Sequence, residues 1–259
     1  MKTARACWWL LLLLLGGCVR IEQTIFLNED GSGRLVEKVW VSDWVFQTAG
    51  QNQERVPFQD LLQAGGLRER LASYGAVTLV SHTVTNRGGN GVEACTVLAF
   101  TNIDDVRLPL LLSGGTNRPG AIAFTLGGKQ RQDLPTFTGW HYSVSRPLRI
   151  SLPPRGSSEA APMTPAEKTQ WARLLPVMRA MSRDFRITAR LEAYGAVNGR
   201  PSHTLYEITG QDLAAGDAAV DLLLRGELPD SGAAGDLRRG GYTVSIAEPF
   251  EPEDRPAGR

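Results

Sequence analysis

Cysteine is scarce in this chain, with Cys7, Cys18 and Cys95 the three in 259 residues. Three thiols close at most one bridge, which excludes a fold stapled by a disulfide framework. Lysine is nearly as scarce: Lys2, Lys38, Lys129 and Lys168 leave arginine as 24 of the 28 basic residues. These are scattered and balanced by 27 acidic residues, so a formal net charge of +1 supplies no basic footprint for nucleic acid. Histidine occurs only at His82, His141 and His203, each isolated, and neither an H-E-x-x-H pair nor a cysteine–histidine cluster is present. Gly31-Ser32-Gly33 lacks the spacing of a nucleophile elbow, and there is no phosphate loop or dinucleotide fingerprint. The acidic pairs Glu29-Asp30 and Asp104-Asp105 fall at turn and cap positions without the regular spacing of calcium ligands. No catalytic residue, metal ligand or cofactor is therefore assigned. A membrane-spanning run is missing too: Trp8 to Leu15 is eight residues, whereas a spanning helix needs roughly 20.

What is there begins with that short run. Lys2 and Arg5 precede it and Gly16 and Gly17 follow, the order of an export signal. Leu15-Gly16-Gly17-Cys18 resembles the bacterial lipobox, with a large aliphatic residue three before the cysteine and small residues between. The resemblance implies a signal peptidase II substrate: diacylglycerol on the Cys18 thiol, cleavage between Gly17 and Cys18, and acylation of the freed amine. The thiol supplies the thioether, and the small residues let the backbone enter a narrow protease site. Two or three acyl chains, each contributing about 0.8 kcal/mol per buried CH₂, hold a protein on a membrane durably. Val19 is not the aspartate associated with inner-membrane retention, which favours the periplasmic face of the outer membrane in a cell with two membranes. Taking 17 residues from 259 leaves 242, and losing Lys2 and Arg5 leaves 26 basic against 27 acidic residues, a net charge of −1. With Cys18 consumed by lipid, Cys95 stands alone, and its apolar neighbours predict a packed, inert thiol.

The remainder reads as hairpins and helices. Val19 to Asn28 and Arg34 to Ser42 flank Glu29-Asp30-Gly31-Ser32-Gly33, a turn whose glycines supply positive φ. Ala76 to Asn86 pairs with Val92 to Thr101, and Asp184 to Val197 with Ser202 to Thr209 through Asn198-Gly199. Ala121 to Leu126 is a short strand and Thr138 to Leu152 a longer one, interrupted by Pro147. Residues 113–120 and 127–136 read as loops. Helical spacing is found over 58–74, weakened at Gly65-Gly66, and over 211–224. The best helix start is Thr164-Pro165-Ala166-Glu167, a capping box with proline at the first turn, leading to about Ser182. Asn102 caps a short turn before Val106, and Tyr242 to Ile246 alternates as an edge strand.

These elements predict an α+β fold in which antiparallel β-hairpins pack with two or three helices. The expected organisation is a signal peptide over 1–17, an envelope domain over 18–226 with a linker at 153–163, and a polar, largely disordered tail over 227–259. The order of lipid-bearing cysteine, strand, Asp30-Gly31-Ser32-Gly33 turn, strand, and then helix-plus-hairpin units resembles uncharacterised bacterial lipoproteins, including the LppM-like group. That group implies a membrane-attached α+β domain related to lipid-binding modules, with a cavity for a hydrophobic ligand. The expected role is thus a non-enzymatic lipoprotein of the cell envelope, anchored to the membrane by its N-terminal lipid. Its expected partner is a lipid-like ligand or another envelope protein. The alternative is a lipid-anchored hydrolase whose site is assembled from loops 113–120 and 127–136.

Overall fold

Val19, Ile21, Gln23, Ile25 and Leu27 are buried in alternation with exposed or half-buried neighbours, which makes Val19–Leu27 a strand, β1, with one inward face. Gly33–Val41, β2, repeats the pattern and pairs with β1 in antiparallel register, Gln23 opposite Glu37. Between them the Asp30 carboxylate accepts from the Ser32 backbone N–H at 2.9 Å and its hydroxyl at 2.6 Å, and Gly31 takes φ +89°. Those two donors hold the Asp30 carboxyl below its ordinary pKa. The computed structural model describes residues 19–43, 62, 67, 70–86, 88, 91–110, 121–136, 139–153, 185–193, 202–214, 228 and 232–247.

Two sheets contain the described strands. The first adds Thr78–Asn86 (β3), Val92–Phe100 (β4), Arg186–Ala193 (β9) and Ser202–Thr209 (β10), in the order β10-β9-β1-β2-β4-β3. Within it β1 and β9 form a parallel pair, joining residues far apart in sequence. The second contains Arg107–Pro109 (β5), Ala121–Leu126 (β6), Gln130–Thr136 (β7), Gly139–Ser151 (β8) and Tyr242–Ala247 (β11), in the order β11-β8-β6-β5 with β7 also on β8. One continuous apolar cluster runs through both sheets, including Ile21, Ile25, Leu35 and Leu98 from the first and Ile122, Phe124, Leu148 and Ile150 from the second.

The sheets meet at the β1–β2 turn. Ile103 N–H donates to the Gly31 carbonyl at 2.9 Å, and the Asp104 carboxylate accepts from Leu126 N–H at 2.7 Å. Pro147 has no N–H to offer where β8 passes Gly127. The Arg146 guanidinium substitutes, donating through Nε to the Gly127 carbonyl at 3.0 Å and through Nη1 to the Glu29 carbonyl at 2.8 Å. The proline that breaks the ladder thus recruits the side chain that fastens one sheet to the other.

Strand content corrects the expectation of an α+β fold with two or three packed helices. Of the described residues 64% are in strands and 17% helical, and the helices are two short ones, Gly210–Ala214 (α1) and Gly232–Arg238 (α2). Residues 127–136, read as a loop, contain β7, paired with β8 from Gln130 opposite Ser145 to Thr136 opposite Gly139. Its sequence, Gln-Arg-Gln-Asp-Leu-Pro-Thr, lacks apolar alternation, but a strand held by backbone pairing does not require it. Over 58–74 the described Leu62, Leu67, Arg70 and Leu71 are helical, and the stretch closes in a 3₁₀ turn, Ala72–Tyr74, stopped by Gly75. The expected helix over 164–182, the linker 153–163 beyond Pro153, and the Asn198-Gly199 turn lie outside the described residues. Within the stretch 227–259, read as a tail, are α2 and the edge strand β11, the latter at the place its alternation predicts.

Gly75 takes φ +82°, and a Cβ there would lie 2.1 Å from the Asp105 carbonyl oxygen. It bridges to Val106 and so fixes the segment carrying Tyr74. Gly75→Ala is expected to lower stability by about 3 kcal/mol or more, from left-handed strain plus a backbone collision. Gly88→Ala, at φ +50° with nothing within 4 Å, should cost about 1 kcal/mol. Equal urea midpoint shifts for the two variants would contradict this assignment.

Candidate functional site

The register of the six-stranded sheet carries a polar row across its inner face. Tyr206 lies opposite Ala189, Ala189 beside Gln23, Gln23 opposite Glu37, Glu37 opposite Thr96, and Thr96 opposite His82. Each strand contributes one residue, so a row assembled from β10 to β3 depends on all five pairings. Gln23, Glu37 and Thr96 are buried at positions where the alternation alone calls for apolar side chains.

Hydrogen bonding explains how they are tolerated there. The Gln23 amide donates to Glu37 Oε2 at 3.1 Å, and its carbonyl oxygen accepts from the Tyr206 hydroxyl at 3.2 Å. The Tyr74 hydroxyl donates to the same Glu37 oxygen. Arg70 Nη2 faces Glu37 Oε1 at 3.1 Å, with the two side chains 12% and 1% exposed. Thr96 Oγ1 lies 2.9 Å from His82 Nδ1 at the β3 edge. Arg70 Nε and Nη1 are buried without a hydrogen-bond partner among the described residues.

Burial raises the Tyr74 hydroxyl pKa well above its ordinary value, and the neighbouring Glu37 carboxylate raises it further. Burial, then Glu37, raises Tyr206 as well. Both hydroxyls therefore keep their protons across the physiological range and serve as donors. The chemistry of this row is that of a clamp: it fastens the 70–75 segment and β10 to the middle of the sheet.

No protein-family model, curated protein or solved structure matches the chain. The functional reading consequently rests on the residues themselves.

The lipobox residues Leu15, Gly16, Gly17 and Cys18 lie outside the described residues, which start at Val19, the first residue of β1 and fully buried. Of the residues considered for catalysis, His82 sits on one edge strand of the first sheet and His203 on the other. Five inter-strand spacings of about 4.8 Å place them roughly 24 Å apart. His141 lies in β8, in the second sheet. Glu29 and Asp30 occupy the β1–β2 turn, and Asp104 and Asp105 a 3₁₀ turn where Asn102 accepts from Asp104 N–H at 3.2 Å. Among the described residues no three His, Cys, Asp or Glu side chains gather as metal ligands. Residues 113–120 lie outside the described residues, and 130–136 are the strand β7. Cys95 is half-buried and sits opposite Lys38 on the outer sheet face, not in the core.

Two features escaped the sequence reading. The first is the polar row, whose partners are scattered from residue 23 to residue 206; polar residues at inward positions of β1 and β2 were the available signal. The second is on the outer face, where Arg20, Glu22, Lys38, Trp40 and Glu93 line a groove at the start of β1.

Proposed function

We propose that this chain is a lipid-anchored protein of the cell envelope that binds and does not catalyse, and that it takes an extended segment of an envelope protein onto the edge of β3. The single observation carrying the binding reading is the state of that edge. A β-sheet edge offers unpaired N–H and C=O groups, and proteins ordinarily protect such edges with charge, proline, shortness or cover. β5 is three residues long and ends in Pro109, and β11 has six residues. β10 carries Glu207, ion-paired to Arg186, and has α1 and α2 packed beside it. β3 has nine residues, Thr-Leu-Val-Ser-His-Thr-Val-Thr-Asn, without an acidic residue, lysine, arginine or proline. Leu79, Val80 and Val84 stand 39%, 55% and 48% exposed. A bulge between Leu79 and Ser81 interrupts its beginning and leaves Ser81 to Asn86 in regular pairing with β4. Such a strand fits the backbone of another strand, with pockets between alternate side chains giving selectivity.

The anchor supports the same reading. With β1 starting at the residue after the lipid-bearing cysteine, the sheet is presented at the membrane on almost no tether. The described interior is a packed apolar cluster closed by the polar row, which favours the protein partner over an enclosed lipid-like ligand.

A photocrosslinking residue at Thr85 of the lipidated chain in intact envelopes should yield one adduct of defined mass. The crosslinked protein, once identified and purified, should bind the vesicle-anchored chain and lose at least about tenfold in affinity to Val84→Lys, equivalent to about 1.4 kcal/mol. An adduct of twice the chain's own mass would show a second copy on the edge. That result, an absent adduct, or an affinity indifferent to Val84→Lys would each overturn the proposal.

A further inference from the structure

The outer groove lies where an anchored chain meets its membrane. Arg20 pairs with Trp40, Trp40 with Glu93, and Glu22 with Lys38, so five residues from β1, β2 and β4 form two adjacent rows on one face. Two cations, two carboxylates and an aromatic ring make a set with no net charge. The cations are diagonal neighbours on antiparallel strands, with Cα atoms about 7–8 Å apart, within the span over which arginine and lysine side chains close on one phosphate. Glu22 adjoins both in the register and provides a carboxylate for a neighbouring ammonium. Among the described residues none of Arg20, Glu22 and Lys38 is held in an ion pair or side-chain hydrogen bond, so their charges are open to a ligand. Trp40 is half-buried, an indole body against the sheet of the kind that settles at the boundary between acyl chains and water.

The position of the groove along β1 selects the ligand. A strand rises about 3.3 Å per residue, so Arg20 lies within roughly 7 Å and Glu22 within roughly 13 Å of residue 18. The headgroup region of a bilayer is about 5–7 Å deep on each side. These are upper limits on depth: with β1 inclined along the surface, a thioether-linked diacylglycerol at Cys18 would set both Arg20 and Glu22 at the headgroups. We infer that this groove binds the headgroup of a zwitterionic phospholipid of the anchoring membrane, phosphate to Arg20 and Lys38 and ammonium to Glu22, with Trp40 at the interface. The inference rests on the proposed lipid anchor. It adds an orientation to it: the outer face of the six-stranded sheet leans on the bilayer, leaving the β3 edge at one side of the contact.

The test uses the lipidated chain in phosphatidylethanolamine vesicles containing a nitroxide-headgroup lipid. Trp40 fluorescence is obtained as the difference between the wild type and Trp40→Phe. Quenching of the Trp40 component is expected, as is its loss in Arg20→Gln/Lys38→Gln. Vesicles of phosphatidylglycerol, which lacks the ammonium, should quench less, and Glu22→Gln should remove that preference. Unquenched Trp40, quenching unaffected by the double variant, or no preference between the vesicles would overturn the inference. So would full displacement by millimolar inorganic phosphate, which would mark a free-phosphate site. Failure of the chain to float with vesicles at all would count against the anchor instead, which separates the two readings.

Discussion

Cys18→Ser is expected to abolish incorporation of labelled palmitate and to release the chain from membranes on an alkaline carbonate wash. Serine has the right size but lacks the thiol that forms the thioether. At about 0.8 kcal/mol per buried CH₂, two acyl chains contribute more than about 20 kcal/mol of membrane affinity. The apolar run of eight residues that would remain is less than half the length of a membrane span, which requires roughly 20. Folding should be unchanged, because serine nearly matches cysteine in size and the described core positions of β1 run from Val19 to Leu27. Equal urea midpoints for the variant and the wild type, together with loss of the label, would separate anchoring from folding. Retention of the label would refute the lipobox assignment.

Arg70→Met should lower stability by about 3–5 kcal/mol, the cost of leaving a buried carboxylate without its cation. Glu37 is 1% exposed, and its other contacts, from Tyr74 and Gln23, are hydrogen bonds without compensating charge. The expected signature is a rescue. Glu37→Gln/Arg70→Met removes both charges while retaining an oxygen to accept from Tyr74, and should recover most of the loss in urea unfolding. Additive effects of the two substitutions, or a loss below about 1 kcal/mol for Arg70→Met, would show that the contact contributes no more than an exposed pair.

The hairpins were legible because their causes are local. Alternation in Val19 to Leu27 and Gly33 to Val41, with Asp30-Gly31-Ser32 between, specifies two strands and a reversal within about two dozen residues. The same holds for β3 with β4. β7 was not legible, because a strand secured by backbone pairing to β8 needs no apolar period, and Gln130 to Thr136 shows none. The fold class was misread because strands dominate: 64% of the described residues are in two sheets, while over 58–74 the described Leu62, Leu67, Arg70 and Leu71 are helical and lead into the 3₁₀ turn Ala72–Tyr74. Glu37 gave a signal that was hard to interpret. A carboxylate at an inward position suggests a partner but not which one, and its partners, Gln23, Arg70 and Tyr74, lie 14, 33 and 37 residues away.

By itself the sequence determined the lipobox-like word Leu15-Gly16-Gly17-Cys18 on which the proposed anchor rests, and the strands whose turns are short, since each depends on side chains within a few residues of one another. Tertiary structure alone decided the parallel pairing of β1 with β9, the polar row from Tyr206 to His82, the exposure of the β3 edge among the described residues and the groove beside the start of β1. Sheet neighbours are chosen by the burial of whole faces. Gln23 and Tyr206, 183 residues apart, meet only because β9, the one strand between theirs, is paired in a register that sets the small Ala189 between them on the same buried face.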